Sequence, residues 1–334
     1  MSKTLLVQQQ QLHFFLVMLM SLFRKKQTAI SPLPALVNGF ALERELNSGE
    51  LIKPHRIGIY KNDRGQKGVV KWWSGNKKTF AAISLENELS MAKLLEKLNH
   101  RTIKNQKPNL TQIGSAHVIT SRVNEKTVFI MSEFHEGKLL REVAKAIQIK
   151  EYKRALNYLS SLSGNLTQIE IDALPKRTYI DYLLLYPALL SVSILRQPRY
   201  FWTFIKGLPP VLFSLTKIRK HPLTIVHRDL HTMNIIYSPS RTTIIDLQRA
   251  VLTYGLYELV TTLAVEWDNK ELRQAILDYI YSSYSNSLTI FRGLMIYFAT
   301  HALTANNLPE YYLSRYKAML NFAVYKYSNY YLKT

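Results

Sequence analysis

Two rhythms of hydrophobic and polar residues run along this chain. Alternation over Arg56-Ile57-Gly58-Ile59-Tyr60-Lys61 marks a strand, Asn62-Asp63-Arg64-Gly65 a turn, and Gly68-Val69-Val70-Lys71-Trp72-Trp73 a second strand. A helical period then puts Leu85, Leu89, Ala92 and Leu95 on one face of a helix predicted for Phe80 to Leu98. The apolar run Val128-Phe129-Ile130-Met131 predicts a buried strand that ends in a polar bend at Gly137. From Lys138 to Val226 the pattern is mainly helical, with breaks expected at Gly164, Pro175, Pro187, Pro198 and Pro209-Pro210. A short β-branched strand at Thr242 to Ile245 precedes helices expected over Tyr257–Trp267, Lys270–Tyr284, Leu288–Leu303 and Pro309–Tyr331. Residues 27 to 54 carry Pro32, Pro34, Gly39, Gly49 and Pro54 and read as a connection, with at most one short helix around Ala41 to Leu46.

Candidate chemistry concentrates in Val226-His227-Arg228-Asp229-Leu230-His231-Thr232-Met233-Asn234 and in Thr243-Ile244-Ile245-Asp246-Leu247. An Asp five positions before an Asn can turn through one loop, so that Asp229 faces an acceptor hydroxyl while the Asn234 amide oxygen faces a metal. A short buried strand delivers a second carboxylate, Asp246, to the same cleft. Phosphoryl transfer needs this set: a carboxylate at the attacking oxygen and hard oxygen ligands for Mg²⁺.

The order His-Arg-Asp-Leu…Asn followed by Ile-Asp resembles the catalytic loop (227–234) and metal-binding element (244–247) of the protein-kinase-like superfamily. His231 stands where protein kinases usually carry Lys, as it does in aminoglycoside and choline phosphotransferases. Ile245-Asp246-Leu247-Gln248-Arg249-Ala250 lacks the usual Phe-Gly after the Asp and is most similar to the lipopolysaccharide core kinases, which phosphorylate heptose or Kdo sugars. The resemblance implies a bilobal α+β fold. It divides the chain into an N-terminal helix and linker (1–39), a β-rich lobe (40–135) and a helical lobe (136–334). It implies ATP and Mg²⁺ as cofactors. Asp229 would act on the hydroxyl, Asn234 and Asp246 would hold the metal, and His231 would contact the transferring phosphate or stabilise the loop. His227 and Arg228 would brace that loop. Lys71, with Lys67 as the alternative, would hold the nucleotide phosphates, steadied by Glu88 or its neighbour Glu86. Backbone atoms near Glu133 and His135 would hold the adenine. Gly58, Gly65, Gly68 and Gly75 do not make the Gly-x-Gly-x-x-Gly spacing, and no Ala-Pro-Glu segment or long activation loop is present.

Composition narrows the partners. The 334 residues are 47% hydrophobic, enough for a sizeable core, and contain no cysteine, which excludes disulfides and thiolate chemistry. The net charge of +21 favours anionic partners and disfavours cationic ones. Between Lys138 and Val226 alone, fourteen Lys and Arg face five acids. An apolar run, Leu12 to Phe23, ends in Arg24-Lys25-Lys26. It is too short to span a bilayer and lacks a signal-peptide layout, so it is expected to pack as a helix or to anchor at a membrane interface. The apolar stretches between Tyr179 and Leu215 leave the same two options open, core helices or a membrane-touching surface near Arg196, Arg199 and Lys206. The expectation is a monomeric kinase, cytoplasmic and peripheral on the inner membrane face, acting on an anionic glycan or glycolipid. A protein Ser/Thr kinase, an RNA-associated kinase and a catalytically inactive scaffold remain alternatives. Nucleic acid is not favoured, because no Arg/aromatic-interleaved module is evident.

Overall fold

The structure, a computed structural model, describes residues 32–46, 55–75, 80–105, 113–124, 126–305 and 308–327. The N-terminal apolar run, Gly49, Pro54, Tyr330 and Tyr331 lie outside the described residues.

The first lobe opens with β1 (Leu36–Val37), β2 (Phe40–Glu45), β3 (Arg56–Lys61) and β4 (Lys67–Ser74). Helix α1 (Phe80–Asn105) follows, then β5 (Ile113–Ser115), β6 (Val118–Val123) and β7 (Thr127–Glu133). An antiparallel sheet of order β1-β2-β3-β4-β7-β6 results, with α1 packed on it. Residues 40 to 45 are thus a strand and not the short helix expected there. Six residues are too few for an isolated helix, whereas the ladder pairs Ala41 with Lys61, Leu42 with Tyr60 and Glu45 with Gly58. Gly58 and Gly68 serve packing: a Cβ on Gly58 would lie 2.8 Å from Leu33 Cδ1, and one on Gly68 3.0 Å from Met131 Cγ. Gly65, at φ 80°, closes the β3–β4 turn, where Asn62 Oδ1 accepts from the amides of Arg64 and Gln66.

In the second lobe, β8 (Lys138–Leu139) leads to α2 (Lys145–Ser163), which stops at Gly164, then to α3 (Gln168–Ala173), α4 (Tyr179–Arg196) and α5 (Phe201–Ile218). Next come β9 (Leu223–Val226), β10 (Ile235–Tyr237), β11 (Thr242–Ile244) and β12 (Val251–Tyr254). Helices α6 (Gly255–Val265), α7 (Lys270–Ser283), α8 (Leu288–Ala302) and α9 (Glu310–Asn321) complete it, and a π-helical turn extends α9 over Phe322–Lys326. The hairpin β10–β11 sits in a second sheet of order β5-β11-β10-β8, and β9 pairs antiparallel with β12.

Pro187 lies inside α4 and Pro209-Pro210 inside α5, so these prolines do not break the helices as expected. Pro187 and Pro209 sit on the outer, exposed faces, where water can take up a freed carbonyl. The inner faces fill the core: Tyr182, Leu185, Tyr186 and Leu189 from α4, and Phe204, Val211, Leu215 and Ile218 from α5. Both helices rest on α8. Tyr186 stacks on Tyr297 at 5.5 Å, Ser193 donates to the Thr300 carbonyl at 2.7 Å, and Ser214 donates to the Thr289 carbonyl at 3.1 Å. The outer faces stay apolar, with Leu184 68%, Leu195 81% and Trp202 70% exposed beside Ile180, Leu212 and Phe213. Among the described residues α4 alone is long and apolar enough to cross a bilayer, yet its inner face is core.

Candidate active site

The loop 227–234 runs from the end of β9 to the start of β10, and its shape comes from partners far along the chain. The Glu258 carboxylate on α6 accepts the amides of Arg228 at 3.0 Å and Leu230 at 3.2 Å, and also that of His227. Burial pushes this carboxyl up, while His227 and the three amides pull it back toward the ionised form. His227 Nε2 meets the Ile245 carbonyl at 2.8 Å, tying the loop to the strand that carries Asp246. Glu266 takes the Thr232 amide at 3.0 Å, and Thr262 donates to the Leu230 carbonyl. Within the loop, Asn234 Nδ2 donates to the Asp229 carbonyl at 2.8 Å, and the Met233 amide donates to His231 Nδ1 at 3.2 Å. Burial lowers the His231 pKa, which keeps that nitrogen available as an acceptor.

Against this frame the Asp229 carboxylate stays partly open, with His231 Nε2 at 3.6 Å and the exposed Arg249 guanidinium at 3.9 Å. Lys71 projects from β4 into the same cleft, where its Nζ lies 2.7 and 2.9 Å from the Glu88 oxygens and 2.7 Å from Asp246 Oδ1. Burial opposes the ammonium's charge, but Asp246 and Glu88 outweigh it and hold its pKa above the ordinary lysine value. Of Glu86 and Glu88, it is Glu88 that reaches Lys71. The alternative lysine, Lys67, instead pairs with Glu43 at 3.1 Å. Asp246 adopts a left-handed φ of 64°, which turns its carboxylate off the end of β11. The β10–β11 register, Ile235 opposite Ile244, sets Asn234 beside that turn.

Glu133 and His135 lie apart from this cluster, at the far end of β7. Lys71 pairs with Ile130 and Gly68 with Glu133, so the bend is three residues, roughly 10 Å, along the sheet. The Glu133 and Phe134 amides are engaged by the His117 and Lys67 carbonyls. The His135 amide has no partner among the described residues. Burial, then Arg241, lowers the His135 imidazole pKa, with Glu133 opposing.

Several residues of the site carry no motif. Asn87 donates to the Gln248 and Ala250 carbonyls at 2.8 and 3.0 Å and holds α1 against the segment after Asp246. For Glu258 the signal was a lone carboxylate inside the apolar run Leu256 to Ala264. Nothing local marks Glu266 or Arg249.

A cleft with an Asp-Asn loop on one wall and a Lys–Glu pair on the other, between an antiparallel-sheet lobe and a helical lobe, is the architecture of the kinase-like phosphotransferases. Residues 118–284, half of the chain, match the phosphotransferase enzyme family (APH), and the protein belongs to that family. It is a kinase. Similar solved structures include the aminoglycoside phosphotransferase of Alicyclobacillus acidocaldarius (TM-score 0.57, 10% identity, covering 93% of this chain and 97% of that one). The aminoglycoside phosphotransferase APH(4)-Ia is another (0.53, 13%, 93% and 98%), as is the amicoumacin kinase hAmiN in complex with AMP-PNP, Ca²⁺ and Ami (0.52, 11%, 86% and 89%). No curated protein sequence matches the chain.

Proposed function

We propose that this protein moves the γ-phosphate of ATP to a hydroxyl of an anionic, lipid-linked sugar, as the lipopolysaccharide core kinases do. The observation that carries the reading is the convergence of Lys71, Glu88, Asn234 and Asp246 around an open Asp229 carboxylate.

The donor set suits Mg²⁺-ATP. With the Asn234 amide nitrogen engaged by the Asp229 carbonyl, its oxygen is left to face the cleft beside Asp246. Two protein oxygens with no surrounding cage are what Mg²⁺ uses when phosphates complete its shell, and no cluster of three or more His, Asp or Glu stands ready for a metal among the described residues. Bound there, Mg²⁺ would offset phosphate charge. Lys71, oriented by Glu88, holds the α- and β-phosphates, and the His135 amide, roughly 10 Å along the sheet, meets the adenine edge. Asp229 orients the acceptor hydroxyl and accepts its proton. His231, neutral through burial, positions the Met233 and Asn234 end of the loop.

Charge guides the choice of acceptor. Aminoglycosides are polycations, and a +21 protein with a basic second lobe repels them by several kT. A phosphorylated or carboxylated sugar is drawn in by the same field. The apolar outer faces of α4 and α5, bordered by Arg196, Arg199 and Lys206, suit the surface of an acidic bilayer. Specificity constants for a lipid A-core acceptor, kanamycin and histone, measured at one ionic strength, test the reading. Preference for either cationic substrate sinks it. In liposome flotation, binding is expected to require acidic lipid and to weaken with salt, and equal binding to neutral vesicles would remove the membrane component.

A further inference from the structure

Lys71 is held between two carboxylates from different parts of the chain, Glu88 on α1 and Asp246 after β11. The direction of its ammonium therefore depends on the spacing between α1 and the helical turn Leu247–Arg249 that follows Asp246. Helix α1 is itself shared between two cores. Ala82, Leu85 and Leu89 pack with Trp73, Val128 and Ile130 of the sheet, whereas Met91, Ala92, Leu95 and Leu98 belong to the large core of the second lobe, together with Leu247. Further along α1, Lys97 and Arg101 reach Glu170 of α3 at 2.8 and 2.9 Å. Glu88 stands where the helix passes from one core to the other.

Two side chains cross-link α1 to the turn at this point. Asn87 Nδ2 donates to the Gln248 carbonyl at 2.8 Å and to the Ala250 carbonyl at 3.0 Å, so one amide grips the backbone on both sides of Arg249. The Gln248 side chain reaches back from the turn: it hydrogen-bonds Glu88, and its Nε2 lies 3.0 Å from Nε2 of the buried His55. Adjacent residues of a helix point about 100° apart around its axis, so Asn87 can hold the turn while Glu88 holds Lys71. Only Leu247 to Ala250 separate Asp246 from β12, which leaves no room for a long loop between them. In kinases switched by loop phosphorylation, the Lys–Glu pair depends on bringing the glutamate-bearing helix into place; here that helix is anchored on both sides of the glutamate.

We propose that Asn87 and Gln248 are positioning residues: they set the spacing of Glu88 and Asp246 and so aim the Lys71 ammonium at the nucleotide phosphates without an activating modification. Each acts through Lys71. The proposal rests on the proposed function, in which Lys71 holds the α- and β-phosphates of ATP, and it names what fixes that lysine's direction.

The test measures the affinity of the full chain for AMP-PNP with Mg²⁺ and for adenosine by calorimetry. The variants are Asn87→Leu, Gln248→Met, Lys71→Met, and each of the first two combined with Lys71→Met. Asn87→Leu keeps the volume of the side chain and removes its donors. It is expected to lower AMP-PNP affinity about tenfold, and Gln248→Met about threefold. Adenosine affinity is expected to stay unchanged in both, because Lys71 meets the phosphates alone. Added to Lys71→Met, neither substitution should lower AMP-PNP affinity further. A general distortion of the cleft would weaken both ligands alike and would add to the effect of Lys71→Met. Either result overturns the proposal, as does unchanged AMP-PNP affinity in both single variants. Should Asn87→Leu show no cooperative urea transition, Gln248→Met, at a half-buried side chain, carries the same comparison alone. A wild type that ignores AMP-PNP, or a Lys71→Met that binds it as tightly as the wild type, overturns the nucleotide reading itself, a separate failure that takes the positioning role with it.

Discussion

Lys71→Met removes the ammonium that separates two buried carboxylates. Glu88 Oε1 and Asp246 Oδ1 each lie 2.7 Å from Lys71 Nζ, so with the cation gone they face each other across at most twice that distance. At an effective dielectric of about 20, unit charges so placed repel by about 3 kcal/mol. With the lost hydrogen bonds, the variant should be about 3–5 kcal/mol less stable than the wild type at pH 8, the usual cost of breaking a buried pair. The deficit depends on pH. Burial already raises the Glu88 pKa, and Lys71 is the main influence pulling it back, so the substitution raises it further. A carboxyl whose folded pKa lies above its unfolded value near 4.3 contributes stability that is fully present below that value and is lost as pH rises through the folded one. The gap to the wild type should therefore widen from pH 5 to pH 8. Urea unfolding at both values measures it, and Lys71→Met/Glu88→Gln should recover about 2 kcal/mol at pH 8 by removing one of the two charges. A deficit that is equal at both pH values and not relieved by the second substitution would refute the electrostatic account of this triad.

Asp229→Asn should lower kcat by about 10²–10⁴-fold with AMP-PNP binding unchanged, because only the contact with the nucleophile is lost; a wild-type rate removes Asp229 from the chemistry. Asp246→Asn should weaken the Mg²⁺-dependent part of nucleotide binding, seen as a smaller gain in thermal shift on adding Mg²⁺ than the wild type shows. Glu258→Gln puts an amide against loop amides that now meet a carboxylate. It should cost about 2–4 kcal/mol in unfolding free energy and reduce kcat as well; full activity would show that the loop holds its shape without this clamp. Hydrogen bonding from Lys97, with Thr167 and Arg101 adding to it against burial, lowers the Glu170 pKa to about 2. Its contribution is present above the unfolded value near 4.3 and is lost as pH falls toward 2. The difference in Tm between wild type and Glu170→Gln should accordingly shrink from pH 6 to pH 2.5.

Local signals identified the parts of this protein whose physics is local. The β3–β4 hairpin, the helix bearing Glu88 and the Asp229–Asn234 loop follow from alternation, periodicity and spacing within a few residues. Their convergence was legible only because loop and strand chemistry together resemble a known family. Failures came where tertiary contact outweighs propensity. Phe40 to Glu45 became a strand because β3 offers it a ladder. Pro187, Pro209 and Pro210 stayed helical because the inner faces of α4 and α5 are held on α8. Glu258 and Asn87 shape the site from elements distant in sequence, and no spacing rule reaches across such separations.

Gly293 fixes how closely two helices can approach. A Cβ there would stand 1.9 Å from Ser214 Oγ and 2.3 Å from the Pro210 carbonyl oxygen, so α5 and α8 touch backbone to backbone at this crossing. One turn further along, α8 carries Tyr297 against Tyr182 and Tyr186 of α4, and near its end the Thr300 carbonyl accepts from Ser193. One rigid rod thus meets α5 at one crossing and α4 at the next. A single methyl group at residue 293 would act as a wedge at the first crossing and be felt as a change of packing at the second, without altering any residue of the Asp229 loop.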